Sequence, residues 1–191
     1  MVFAYNRFNY GKSDKVDVPQ TGTEIIANLL PMKEWVCLLE KLGLNNVKTY
    51  IQSGNAVFQS KKTGASELSD RIGVAIRSGH GFAPHVIILK WDELKDAVES
   101  NPYPKAESEP KTLHLTFLAS VPESPDLITL QNIKKDSERF ALKGKIFYLH
   151  APEGIARSKL FARIEKSLGM SGTARNWRSV SNIKSIAEQM G

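Results

Sequence analysis

Thiol chemistry is almost missing from this chain: its 191 residues include one cysteine, Cys37. An intrachain disulfide is therefore impossible, and cysteine-based zinc patterns have no ligands to build from. The four histidines, His80, His85, His114 and His150, are scattered, and none forms an H-E-x-x-H or similar ligand spacing. Neither a phosphate-binding P-loop nor a dinucleotide fingerprint occurs. Long hydrophobic runs are absent too. The longest aliphatic stretch, Val86-Ile87-Ile88-Leu89, falls far short of the roughly 20 residues that span a bilayer, and the opening MVFAYNRFNYGKSDK lacks an apolar signal-peptide core. The expectation is a cytoplasmic protein with no metal, no cofactor and no membrane partner.

What is present is ordinary globular composition, 41% hydrophobic and 24% charged, in a length that suits one large domain or two small ones. Charge is uneven along it. Residues 1–100 carry 12 Lys and Arg against 11 Asp and Glu, whereas 101–191 carry 14 against 9. From Arg139 onward ten basic residues face only Glu153, Glu165 and Glu188. Such an excess either projects a field toward an anionic partner or forms a solvated face that aids solubility.

Hydrophobic period sets the expected elements. Pro31 opens a helix in which Trp35, Leu38, Leu39 and Leu42 share a face, and Gly43 offers a left-handed stop. Val47–Gln52 and Ala56–Ser60 read as a hairpin around Ser53-Gly54-Asn55. A helix carrying Leu68, Ile72 and Ile76 follows, then a strand over 84–89 and a helix capped by Asp92. Pro102, Pro104 and Pro110 then interrupt any regular element. Beyond them the order returns: a strand over 113–119, a helix started by Ser124-Pro125, a hairpin around Lys143-Gly144, a helix with Leu160, Ile164 and Leu168, a short strand over 173–177, and a last amphipathic helix. With Val2–Tyr5 as a first strand, both parts read as split βαβ units. The expected fold class is α+β: two tandem ferredoxin-like halves with mostly antiparallel sheets, at 1–100 and 112–191, joined by a proline-rich linker at 101–111.

Three segments are richer in polar and small residues than packing requires. Gln52, Ser53 and Asn55 lie at a hairpin tip, where they either meet a ligand or only serve the turn. Arg157, Ser158 and Lys159 follow Gly154 at a helix start, where free N–H groups and two cations suit a phosphate or carboxylate; Arg163 and Lys166 extend the charge along the helix. Arg175, Asn176, Trp177 and Arg178 combine cations with a flat ring, as single-stranded nucleic-acid sites do, although Trp177 suits a core equally well. Lys143-Gly144-Lys145-Ile146-Phe147-Tyr148 is a poor match to the stacking strand of an RNA-recognition motif, because Lys145 stands at the first stacking position.

The segments Leu30-Pro31-Met32-Lys33-Glu34, Leu38–Leu44, Tyr50–Asn55 with Val57-Phe58, Gly154–Leu160 and Thr173–Trp177 together resemble the bacterial family catalogued as domain of unknown function 1697, from about Asn28 to the C-terminus. The resemblance implies tandem split βαβ halves and no established activity. The family's opening apolar strand and arginine/glycine/asparagine loop are echoed here only by Arg7-Phe8-Asn9-Tyr10-Gly11.

Three readings follow. The leading one is a binding module for nucleic acid or a phosphorylated small molecule, using the basic C-terminal surface. The second is a small-molecule enzyme with a site between the halves, Gln52, Ser53 and Asn55 facing Arg157 and Lys159; no nucleophile or acid/base pair is evident, so no reaction is assigned. The third is a structural or oligomerisation protein.

Overall fold

Pro31 supplies an extended residue ahead of a helix whose first N–H groups need no intrahelical partner. The computed structural model, which describes residues 30–50, 54–60, 64–82 and 84–190 and the backbone of 2–6, accordingly starts helix α1 at Met32–Lys41. Trp35 and Leu39 turn inward from it, and Gly43, at φ +82°, takes the left-handed turn that ends it. The chain then forms β2 (Asn45–Tyr50) and β3 (Asn55–Gln59), paired antiparallel. Asn46 sits at φ +54° beside a register shift in β2, a bulge for which asparagine is better suited than a branched residue. Helix α2 (Ala65–His80) buries Leu68, Ile72 and Ile76 and closes on Gly81, and β4 (His85–Leu89) follows. The first strand, β1 (Val2–Asn6), lies between β3 and β4, antiparallel to both.

The sheet order β2-β3-β1-β4, with both helices packed through Leu39, Leu68, Ile72 and Ile76 onto Ala56, Phe58, Val86 and Ile88, is the ferredoxin-like arrangement. The fold is α+β, and the strand order returns in the second sheet.

The second unit begins at Lys90, directly after β4. Helix α3 (Trp91–Glu99), expected to close the first half, belongs here, ahead of the proline-rich stretch 101–111, which holds a 3₁₀ turn at Pro104–Ser108. Its cap also differs from expectation: Lys90 is the capping position, and its N–H donates to Glu93 Oε2 at 2.7 Å, which leaves Asp92 inside the first turn. The helix expected from Ser124-Pro125 is capped one residue later by Asp126, which accepts from the Thr129 N–H. Strands β5 (Leu113–Leu118), β6 (Arg139–Lys143), β7 (Ile146–His150) and β8 (Gly172–Asn176) form an antiparallel sheet of order β6-β7-β5-β8. Helices α4 (Leu127–Ile133) and α5 (Lys159–Leu168) fill the crossovers, and α6 (Trp177–Glu188) ends the chain.

Alternation along β7 assigns the two faces of this sheet. Phe147 and Leu149 pack with Leu130, Leu160, Ile164 and Leu168 from α4 and α5. Tyr148 points the opposite way and donates its hydroxyl to the Ala97 carbonyl of α3 at 2.8 Å. On that side α6 packs against α3 and onto β5 and β8. Both faces of the second sheet are thus covered by helices, and β5 is buried along its whole length.

Candidate functional site

Antiparallel pairing decides which sequence-expected residues meet. Leu113 pairs with His150 and His114 with Asn176, so the C-terminal ends of β7 and β8 flank the N-terminal end of β5. The loop into α5 and the start of α6 therefore emerge at one end of the sheet, which brings Arg157, Ser158 and Lys159 to the same end as Arg175, Asn176, Trp177 and Arg178. Because α5 and α6 cover opposite faces, the two groups stand on opposite layers.

Several of these residues have structural duties. Ser158 is buried, and its hydroxyl accepts the Phe161 N–H at 3.0 Å, capping α5. Asn176 does the same for α6, accepting from the Ser179 N–H at 2.9 Å. Arg175 is only 9% exposed, and its guanidinium donates at 2.8 Å both to Thr173 Oγ1 and to the Ala174 carbonyl. Trp177, 6% exposed, opens α6 instead of ending β8 and packs as core. Phe147 and Tyr148 are buried, and Lys145 pairs with Glu93 at 2.6 Å, so the strand with the weak RNA-recognition likeness offers no stacking surface.

The cations divide by pairing. Lys184 is bonded to Glu188, Lys143 donates to the Ser100 carbonyl, and Arg139 donates to the carbonyls of Asp136 and Glu138. Arg157, Lys159, Arg163, Lys166 and Arg178 are exposed and have no side-chain hydrogen bond or ion pair among the described residues. The acids of the same stretch are all engaged: Glu153 by Lys135 and Ser137, Glu165 by the Gly172 N–H at 3.0 Å, and Glu188 by Lys184. Asp126 senses the field of Arg163; its carboxyl is held low mainly by the Thr129 hydrogen bonds and to a smaller extent by that guanidinium. Glu107 and Glu109 precede β5 at the same sheet end, with Lys105 and Lys111 beside them.

Gln52 and Ser53 lie outside the described residues, as does the Arg7–Gly11 segment. Asn55 belongs to the first unit, fully buried, with its amide donating to the Tyr50 carbonyl at 3.3 Å across the hairpin. No group of three or more His, Cys, Asp or Glu residues able to hold a metal occurs among the described residues. Nor, among them, is any helix long and apolar enough to cross a membrane.

Sequence reasoning missed one feature of the first unit. A cleft of about 360 Å³ opens between α1 and α2, lined by Cys37, Leu38, Leu42 and Ala75, with His80 Nδ1 3.9 Å from Glu34 Oε2 at its edge. The spacing Glu34, Cys37, Leu38, Lys41 along one face of α1 was the only signal for it.

Among solved structures, a conserved bacterial protein from Streptococcus pneumoniae is similar to this chain at 19% identity and a TM-score of 0.66, with 98% of this chain and 97% of that one covered. That likeness bears on the fold alone. No curated protein matches. Residues 26–148 match the family described as "Protein of unknown function (DUF1697)". The match includes the α1 segment and the hairpin Tyr50–Asn55 and ends before Gly154. The chain belongs to the DUF1697 family.

Proposed function

We propose that the second unit binds a phosphate-bearing polymer, a nucleic acid, through the cationic surface formed by Arg157, Lys159, Arg163, Lys166 and Arg178. The observation that carries this reading is the pairing pattern: these five cations are exposed and make no side-chain hydrogen bond or ion pair among the described residues, while every acid from Arg139 onward is engaged. Cations already paired within the protein are less available to neutralise phosphates, whereas unpaired ones can displace the counterions condensed on the polymer. Arg175, Asn176 and Trp177 serve in this reading as supports that fix the start of α6, and Ser158 fixes the start of α5. We also infer a cytoplasmic setting, since a single thiol needs no oxidising compartment. The equal strand order of the two sheets supports treating the two units as tandem copies.

The test is fluorescence anisotropy of labelled oligonucleotides over a salt series. With five phosphate contacts the plot of log K against log salt should slope at about −4.5 for duplex and about −3.5 for single strands. Replacing Lys159, Arg163 and Lys166 together by Gln should remove about three-fifths of that slope. Binding that ignores salt, or that survives the triple change intact, overturns the reading.

A further inference from the structure

We infer that the polymer is a duplex held through its phosphates without reading of bases; this rests on the binding reading above and narrows it. Sequence-tolerant single-strand sites need aromatic faces on which bases stack, each worth about 1–3 kcal/mol by alanine substitution. The second unit, described from Lys90 to Gln189, presents none in the open. Phe117, Phe147, Tyr148 and Trp177 are buried, and Trp91, Tyr103, Phe140 and Phe161 are half-buried. Phe140 stacks on Phe147 at 5.3 Å between ring centres, and Phe161 lies 6.3 Å from the His114 ring. The sheet surface on which RNA-recognition folds stack their bases is covered here by α3 and α6.

The placement of charge points the same way. Lys159, Arg163 and Lys166 run along α5 over a rise of about 10.5 Å, the axial extent of about three phosphates of one strand. Arg178 stands on the other layer of the sheet, at the end where α5 begins. Two separate groups of cations suit the two phosphate rows of a stiff duplex, whereas one flexible strand following α5 would leave Arg178 idle. All five are long and exposed, and none makes a hydrogen bond among the described residues that would orient it for the bidentate contacts that base readout requires.

The experiment compares a labelled duplex with each of its separated strands, in one A·T-rich and one G·C-rich version, for the whole chain and for the variants Lys166→Gln and Arg178→Gln. The inference expects the two duplexes to bind within about threefold of each other, both tighter than any single strand, and each variant to lessen the duplex salt slope by about 0.9. Single strands that bind as tightly as duplex, a preference above about tenfold between the duplexes, or a duplex slope indifferent to Arg178→Gln would each overturn it while leaving the binding reading in place. Absence of salt-sensitive binding to any of the six probes overturns both.

Discussion

Gly172 is the one glycine among the described residues of the second unit where an added Cβ would meet close neighbours, and replacing it by alanine tests how the sheet is packed. A Cβ there would lie 2.6 Å from Thr116 Cγ2, 2.9 Å from Leu118 Cδ2 and 3.0 Å from the Phe117 carbonyl oxygen. Thr116 is β-branched and Leu118 is packed in the α4/α5 core, so neither yields freely, and the carbonyl is fixed in the β5 ladder. Overpacking of this kind costs about 1–3 kcal/mol, against which the stiffer unfolded chain returns about 0.4–1 kcal/mol. The Gly172 N–H also donates to Glu165, so any shift of β8 stretches that bond. The net expectation is a loss of about 1–2 kcal/mol, which for a chain of this size lowers Tm by about 2–8 °C. Thermal unfolding followed by fluorescence reads it through Trp91 and Trp177 in the same unit. Adding Thr116→Ser, which removes the methyl group nearest the new Cβ, should recover part of the loss. An unchanged Tm for Gly172→Ala, or no recovery in the double variant, would refute the packing argument.

Burial lowers the His114 pKa below its ordinary value of 6.5, so the folded protein binds fewer protons at this site than the unfolded chain. The stability this site contributes is present above about pH 6.5 and is lost as pH falls through the lower folded value, and urea titrations of His114→Phe should show a flatter acid limb than the parent. Tyr148 behaves oppositely in sign: burial pushes its phenol up to about 12, so stability should fall as pH rises from 10 toward that value, and an absorbance titration should find this phenol silent until unfolding. Tyr148→Phe removes the bond to the Ala97 carbonyl and should cost about 1 kcal/mol in urea unfolding. Ser158→Ala removes the α5 cap and should cost about 1 kcal/mol while leaving the salt slope of binding unchanged.

Local signals were legible where the chain states them locally. Trp35 and Leu39, Leu68, Ile72 and Ile76, and Leu160, Ile164 and Leu168 mark the inward faces of their helices by spacing alone, and Gly43, Gly144 and Gly169 mark turns that need positive φ. The assignment of α3 was not legible, because it depends on Tyr148 reaching Ala97 and Lys145 reaching Glu93, contacts about fifty residues apart in the chain. The roles of Arg175 and Trp177 were hidden for the same reason: their burial depends on α6 folding back over β5 and β8, which no local pattern announces. Asp92 and Lys90 show the limit of cap reading by residue type, since Glu93 satisfies the helix start from inside the first turn. For the candidate site, sequence supplied the excess of cations and the segments that carry it. Which cations remain unpaired is a property of the folded chain.

The central claim is that these unpaired cations form the surface a nucleic-acid duplex meets. Amide and side-chain NMR shifts of the labelled protein, titrated with duplex, test it most directly. The account predicts saturable shifts at residues 153–167 and 177–179, diminishing as salt rises, with α1 and α2 unmoved. Shifts confined to the first unit, or none at low salt, would contradict it.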